Sequence, residues 1–257
     1  MGVKRNHSGQ VVVPSTSTTQ PQGRFTSLFE GFRAELDEHY DRKERIVKAS
    51  RDVTAHSKKI IFALHRSNAI NQDPNPSIQK EVTTRLADIQ KSLSPIAADI
   101  TGLYRYRYYL PCLEELVEAL TFSHYLRTQT LLSLTDARAA VPCGVELTEK
   151  DYVYGVFDLF GEMMRFATAK SRAKGVLLAE EESPKGRSVL NDIQELGCAF
   201  ETLPKLGEKA FGMKLEAMRA SVRKVEVLGY RLVIQRGEHE EGWMPDADVE
   251  EDFGGRE

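Results

Sequence analysis

Residues 149–173 read EKDYVYGVFDLFGEMMRFATAKSRA. Apolar side chains recur through this run with helical rather than alternating spacing, and no glycine–proline turn interrupts it. Glu149 and Asp151 fall in the first turn, where the positive end of a helix dipole favours them, and Thr148 stands in position to cap the helix. The stretch therefore predicts a long helix. Asp158 and Glu162 lie four apart and stack on one face of it, with Tyr154 and Phe166 near the same line.

The same period extends in both directions. Phe25, Phe29, Phe32, Leu36, Ile46, Val47, Val53, Ile60, Ile61 and Leu64 mark one very long helix or two consecutive ones, ended by the polar, proline-bearing NAINQDPNPS. A second helix is predicted over 78–93. Ser94 and Pro95 read as a cap and first helical residue, opening a third helix that runs to about Thr130. On this third helix Tyr106, Leu110, Leu113, Val117 and Leu120 form a core stripe. Ala119, Phe122 and Leu126 cover much of the opposite side. The connection SLTDARAAVPCGVELTEK leaves room for a short helical piece, and further helices are predicted over 187–202 and 206–235.

No strand alternation, repeat, glycine-rich phosphate loop or zinc-finger spacing is present. The expected fold is all-α, an elongated helical bundle of six or seven helices over residues 25–236. Residues 1–24, rich in Ser, Thr, Gln and Pro, read as a disordered leader, and 237–257 as an acidic, disordered tail.

The 257-residue chain is 41% hydrophobic, enough for a sizeable core, and its net charge is −3. The tail holds nine acids against one arginine, a local −8, so the remaining 236 residues carry +5. A mildly basic body suits a polyanion-binding surface and equally an ordinary soluble domain. Cys112, Cys143 and Cys198 are odd in number and widely spaced, the pattern of reduced cysteines. No apolar run is long enough to span a bilayer and no signal-peptide pattern is present, so a soluble cytoplasmic protein without membrane association is expected. Lys4 and Arg5 make too small a cluster to argue for nuclear targeting.

Acidic residues occur where helices have faces to bury. Residues 114–118 read EELVE, with Glu115 and Glu118 three apart, and 158–162 read DLFGE. Like charges at these spacings oppose helix formation by a few tenths of a kcal/mol each, roughly, and burial adds a larger desolvation cost. Arginines such as Arg105, Arg127 or Arg165 would offset it in a salt-bridge network. Alternatively, two carboxylates from each helix would hold magnesium or manganese through oxygen ligands. The Glu-x-x-His pairs of a di-iron bundle are missing. His124 reads as a packed or surface histidine.

Basic and aromatic residues offer a second surface. Arg45, Lys48, Arg51, Lys58, Lys59 and Arg66 line the first helix, and LYRYRYYL at 103–110 interleaves Arg105 and Arg107 with four tyrosines. Arginine can contact phosphates and tyrosine can stack on bases. A solubilising face and packed tyrosines account for the same residues.

Three stretches carry a resemblance: ELDEHYDRKERIVKASRDVTAHSKKIIFALHR (35–66), LEELVEALTFSHYL (113–126) and DYVYGVFDLFGEMMRFA (151–167). Together they resemble translin-associated factor X, the catalytic branch of the translin family, from about Phe25 to Gln235. The resemblance implies an all-helical subunit of a closed hetero-oligomer with translin, a magnesium-dependent endoribonuclease acting on single-stranded RNA. It implies Glu115, Glu118, Asp158 and Glu162 as catalytic and metal-holding acids, with Mn2+ as a substitute for Mg2+. Arg51, Lys58, Lys59, Arg105 and Arg107 are the RNA-contacting candidates, and the family's links are to RNA silencing and precursor-tRNA processing. The leader here lacks the dense basic cluster of the animal pattern, and the segment between the third and fourth predicted helices is shorter. A non-catalytic RNA-binding or structural partner of translin is the alternative.

Overall fold

In a computed structural model the described residues are 23–68, 70–174, 188–204 and 207–238. The leader over 1–22 and the tail from 239 lie outside them. Eight α-helices occur among the described residues: α1 (Thr26–Leu64), α2 (Pro76–Leu93), α3 (Leu103–Arg107), α4 (Pro111–Thr128), α5 (Leu134–Ala140), α6 (Glu149–Lys174), α7 (Val189–Glu201) and α8 (Lys209–Glu238). Short 3-10 segments cover Ser94–Ile100 and Pro142–Gly144. The all-α class is as expected. None of the described helices is long and apolar enough to cross a membrane.

Helix starts follow local chemistry. Asn75 accepts a hydrogen bond from the Ser77 amide ahead of Pro76, and Ser133 and Ser188 do the same for Asp136 and Asn191. Before α6, Thr148 and Asp151 cap reciprocally. The Asp151 amide donates to Thr148 Oγ1 at 3.2 Å and the Thr148 amide donates to Asp151 Oδ2 at 2.9 Å.

The third predicted helix is instead three pieces, a correction with a local cause. Gly102 has φ 55°, a left-handed conformation that glycine tolerates, and Pro111 has no amide to continue a preceding helix. Ser94 and Pro95 open the 3-10 segment rather than an α-helix. Tyr106, expected in the core stripe, consequently lies off the α4 face and is 69% exposed.

The described residues divide into two compact units, one ending at Glu44 and one beginning at Arg45. In the first, Phe25, Leu28, Phe29, Phe32, Leu36 and Tyr40 are all exposed. In the second, Val53, Ile60 and Leu64 of α1 join Ile89 and Leu93 of α2, Leu113, Val117 and Phe122 of α4, and Val156, Phe160 and Phe166 of α6 in one core. Full burial of such side chains stabilises by about 1.5–3 kcal/mol each. Helix α4 is buried around most of its circumference, which draws Glu114 and Glu118 inside with it.

Candidate functional site

Helices α4 and α6 bring EELVE against DLFGE because Gly155 removes a side chain at their crossing. A Cβ there would meet Val117 Cβ at 2.6 Å. Helix α1 supplies Lys58, the turn that closes it supplies His65, whose amide still donates to the Ile61 carbonyl at 3.1 Å, and α8 supplies Lys214.

Each acid then acquires a particular environment. Glu115 lies 3.4 Å from Lys58 Nζ, and Asp158 Oδ2 accepts from Lys214 Nζ at 2.6 Å. Glu162 is buried, with its Oε2 2.5 Å from His65 Nε2 and its Oε1 paired to Arg165. His65 is held in turn beside Phe122, with ring centroids 5.0 Å apart. Glu118 differs from the rest: it is 7% exposed, and its carboxylate has no ion pair among the described residues. Burial first, and then the like charges of Asp158, Glu162 and Glu115, push its pKa up to about 8, with Lys214 offsetting part of the rise. The four predicted acids thus share one electrostatic neighbourhood with Glu118 at its least compensated point.

Three participants were not singled out by sequence. Glu114 is buried; its Oε1 accepts from the Tyr109 hydroxyl at 2.7 Å and its Oε2 lies 3.3 Å from Lys214 Nζ. Burial raises the Glu114 pKa, with the Tyr109 hydrogen bond and the Lys214 charge opposing it. Burial and the Glu114 bond raise that of Tyr109 as well. His65 carried one usable signal, its heptad spacing from Lys58. Lys214, in MKLEAMRA, carried none.

Among the described residues no group of three or more His, Cys, Asp or Glu side chains is arranged to hold a metal ion. Lys58, His65, Arg165 and Lys214 engage the carboxylates of Glu115, Glu162 and Asp158 as they stand. The donor set nevertheless fits a hard divalent cation. All four acids offer carboxylate oxygens, and a buried, unpaired Glu118 among like charges is the arrangement that a cation relieves.

The candidate RNA contacts separate. Arg51, Lys58 and Lys59 are exposed on α1, and Arg107 is exposed at the end of α3. Arg105 is a correction: it is 3% exposed, pairs with buried Asp151 and donates to the Glu146 carbonyl at 2.8 Å. It anchors α3 to the start of α6 and presents no free guanidinium to a polymer.

Comparison with known proteins gives this arrangement a context. Over 213 residues the chain is 30% identical to the translin-associated protein X homolog of Schizosaccharomyces pombe, covering 82% of this chain and 89% of that protein. Translin-associated protein X of Rattus norvegicus is 28% identical over 238 residues, covering 82% and 79%. Apo-NeC3PO shares the fold with a TM-score of 0.60 at 17% identity, covering 84% of this chain and 100% of that one. AfC3PO in complex with duplex RNA does so with a TM-score of 0.58 at 20% identity, covering 82% and 99%. The Translin family model matches residues 41–236, which include every acid and cation of the site, and the chain belongs to that family.

Proposed function

We propose that this chain is the catalytic subunit of a translin-containing hetero-oligomer that cleaves single-stranded RNA with magnesium, or manganese in its place. Glu115, Glu118, Asp158 and Glu162 would hold the ion. The observation carrying this reading is Glu118, a carboxylate without an ion pair among the described residues, whose pKa is raised first by burial and then by three neighbouring acids. Such a group is costly unless it is protonated or a cation arrives. The similarity to translin-associated proteins supports a translin partner, and the RNA bound in the AfC3PO structure makes RNA the polymer to test first.

A cation held by the four carboxylates would supply Lewis acidity toward a phosphodiester oxygen and toward water. The chain's own cations do the positioning. Arg51, Lys58 and Lys59 offer phosphate contacts along α1, and Lys58 extends that row to Glu115 at the edge of the acids. Arg107 with exposed Tyr104, Tyr106 and Tyr109 offers a platform for unpaired bases.

A second reading, a non-catalytic RNA-binding or assembly partner of translin, is favoured by a separate observation. Three of the four acids already pair with a lysine or arginine, Glu115 with Lys58, Glu162 with Arg165 and Asp158 with Lys214, which is how a purely structural network satisfies itself. Assemblies with translin carrying Glu118→Gln or Glu162→Gln separate the two. The catalytic reading expects divalent-dependent cleavage of single-stranded RNA to collapse while assembly and RNA retention persist. Equal cleavage by wild type and both variants, or none by wild type with full retention, supports the scaffold.

A further inference from the structure

The acid cluster contains a cation that is built in rather than laid on. Lys214 Nζ donates to Asp158 Oδ2 at 2.6 Å and to the Tyr154 carbonyl at 3.3 Å, and lies 3.3 Å from Glu114 Oε2. An ammonium has three donors, and each has an oxygen here. Nζ also sits 5.4 Å from the centre of the Tyr154 ring, where the π face favours a cation. Tyr109 holds the other oxygen of Glu114, so this carboxylate is fixed from both sides.

The other lysine and arginine at the acids are different. The side chains of Lys58 and Arg165 are 63% and 67% exposed, and such surface pairs part at little cost. That of Lys214 is 21% exposed and reaches the cluster from the last described helix. An ion that needs Asp158 as a ligand must therefore contend with Lys214.

We propose that Lys214 is the resident counter-ion of the acid cluster, pairing with Asp158 and Glu114 in the metal-free protein and competing with a divalent cation for Asp158. This rests on the reading of the four acids as a metal site. Lysine suits the role because its charge is compact and strongly hydrated and its stem flexible, so it can leave the cage for water when a divalent ion takes the carboxylate. Competition of this kind sets the metal concentration at which the site fills.

The test is Mn2+ binding to the full chain, read from free Mn2+ by electron paramagnetic resonance, for wild type, Lys214→Met, Lys214→Arg and Glu118→Gln. Removing the lysine charge should tighten Mn2+ binding about tenfold, the effect of one neighbouring charge on an ionisation equilibrium. Lys214→Met should also melt below wild type in chelator, with the gap closing at saturating Mn2+, while Lys214→Arg keeps the wild-type affinity. Equal or weaker binding by Lys214→Met, with wild type binding and Glu118→Gln not, overturns the counter-ion role and leaves the metal site standing. No binding by wild type or by Lys214→Met overturns both. An independent reading needs no variant: amine-reactive labelling of Lys214 in wild type, quantified by peptide mass spectrometry, should rise several-fold with saturating Mg2+. Unchanged labelling in a protein that binds the ion overturns the proposal.

Discussion

Gly155 and Glu114 meet backbone to backbone: a Cβ built on Gly155 would stand 2.6 Å from the Glu114 carbonyl oxygen. The separation of α4 from α6, and with it the spacing of the acids, depends on a hydrogen atom at this position. Gly155→Ala must push the helices apart, and overpacking of this kind costs about 1–3 kcal/mol. For a chain of this size that corresponds to a fall in Tm of about 2–4 °C per kcal/mol, measurable by calorimetry. A wild-type Tm would show that the crossing relaxes freely.

Glu118 makes stability depend on pH. Its pKa in the folded chain is about 8 against an ordinary value of 4.5, so the folded state favours the protonated form. The stability linked to this group is fully present below pH 4.5 and is lost as pH rises through about 8. In chelator, Glu118→Gln should therefore be more stable than wild type at pH 8.5, with the difference shrinking as pH falls toward 4.5. Urea melts across that range measure it. A difference independent of pH would remove the electrostatic account.

Arg105 and Asp151 form a buried pair, and deleting one partner strands the other. Arg105→Met should cost about 3–5 kcal/mol, and the double variant with Asp151→Asn should recover much of it. Arg107→Met, on the exposed neighbour, should leave the melt unchanged and weaken RNA retention in a salt-dependent way. Chemical denaturation and filter binding report the two effects separately.

The cysteines should react unequally. Cys112 is buried, and burial pushes its thiol up to about 11, whereas Cys143 and Cys198 are exposed. A thiol reagent at pH 8 should therefore modify two cysteines in the native chain and the third only on unfolding. Counting released chromophore before and after denaturant checks this.

What the sequence made legible divides by range. The long helices were readable because their apolar period is local, and the Thr148 cap because its partner Asp151 is three residues away. The break before α4 had visible causes in Gly102 and Pro111, yet the apolar period running through them favoured one continuous helix. Arg105 read as a surface cation because its partner is 46 residues distant, and only packing shows that α3 turns it inward. The acid pairs were visible as spacings, and residue-by-residue resemblance linked the two helices. Lys214 was invisible, since its role depends on where α8 lies and on nothing in its own neighbourhood.

The order in which the site's charges occur along the chain bears on its synthesis. A polypeptide leaving the ribosome presents Lys58 and His65 first, the acids of α4 and α6 next, and Lys214 last. Glu115 and Glu162 can find Lys58 and His65 as soon as α6 emerges, but Asp158 and Glu114 remain uncompensated until α8 arrives. Docking of α4 on α6 in the nascent chain is opposed by that charge, so the final closure of this region waits for the last described helix. A chain truncated before residue 209 would keep every proposed catalytic acid and still be electrostatically unfinished.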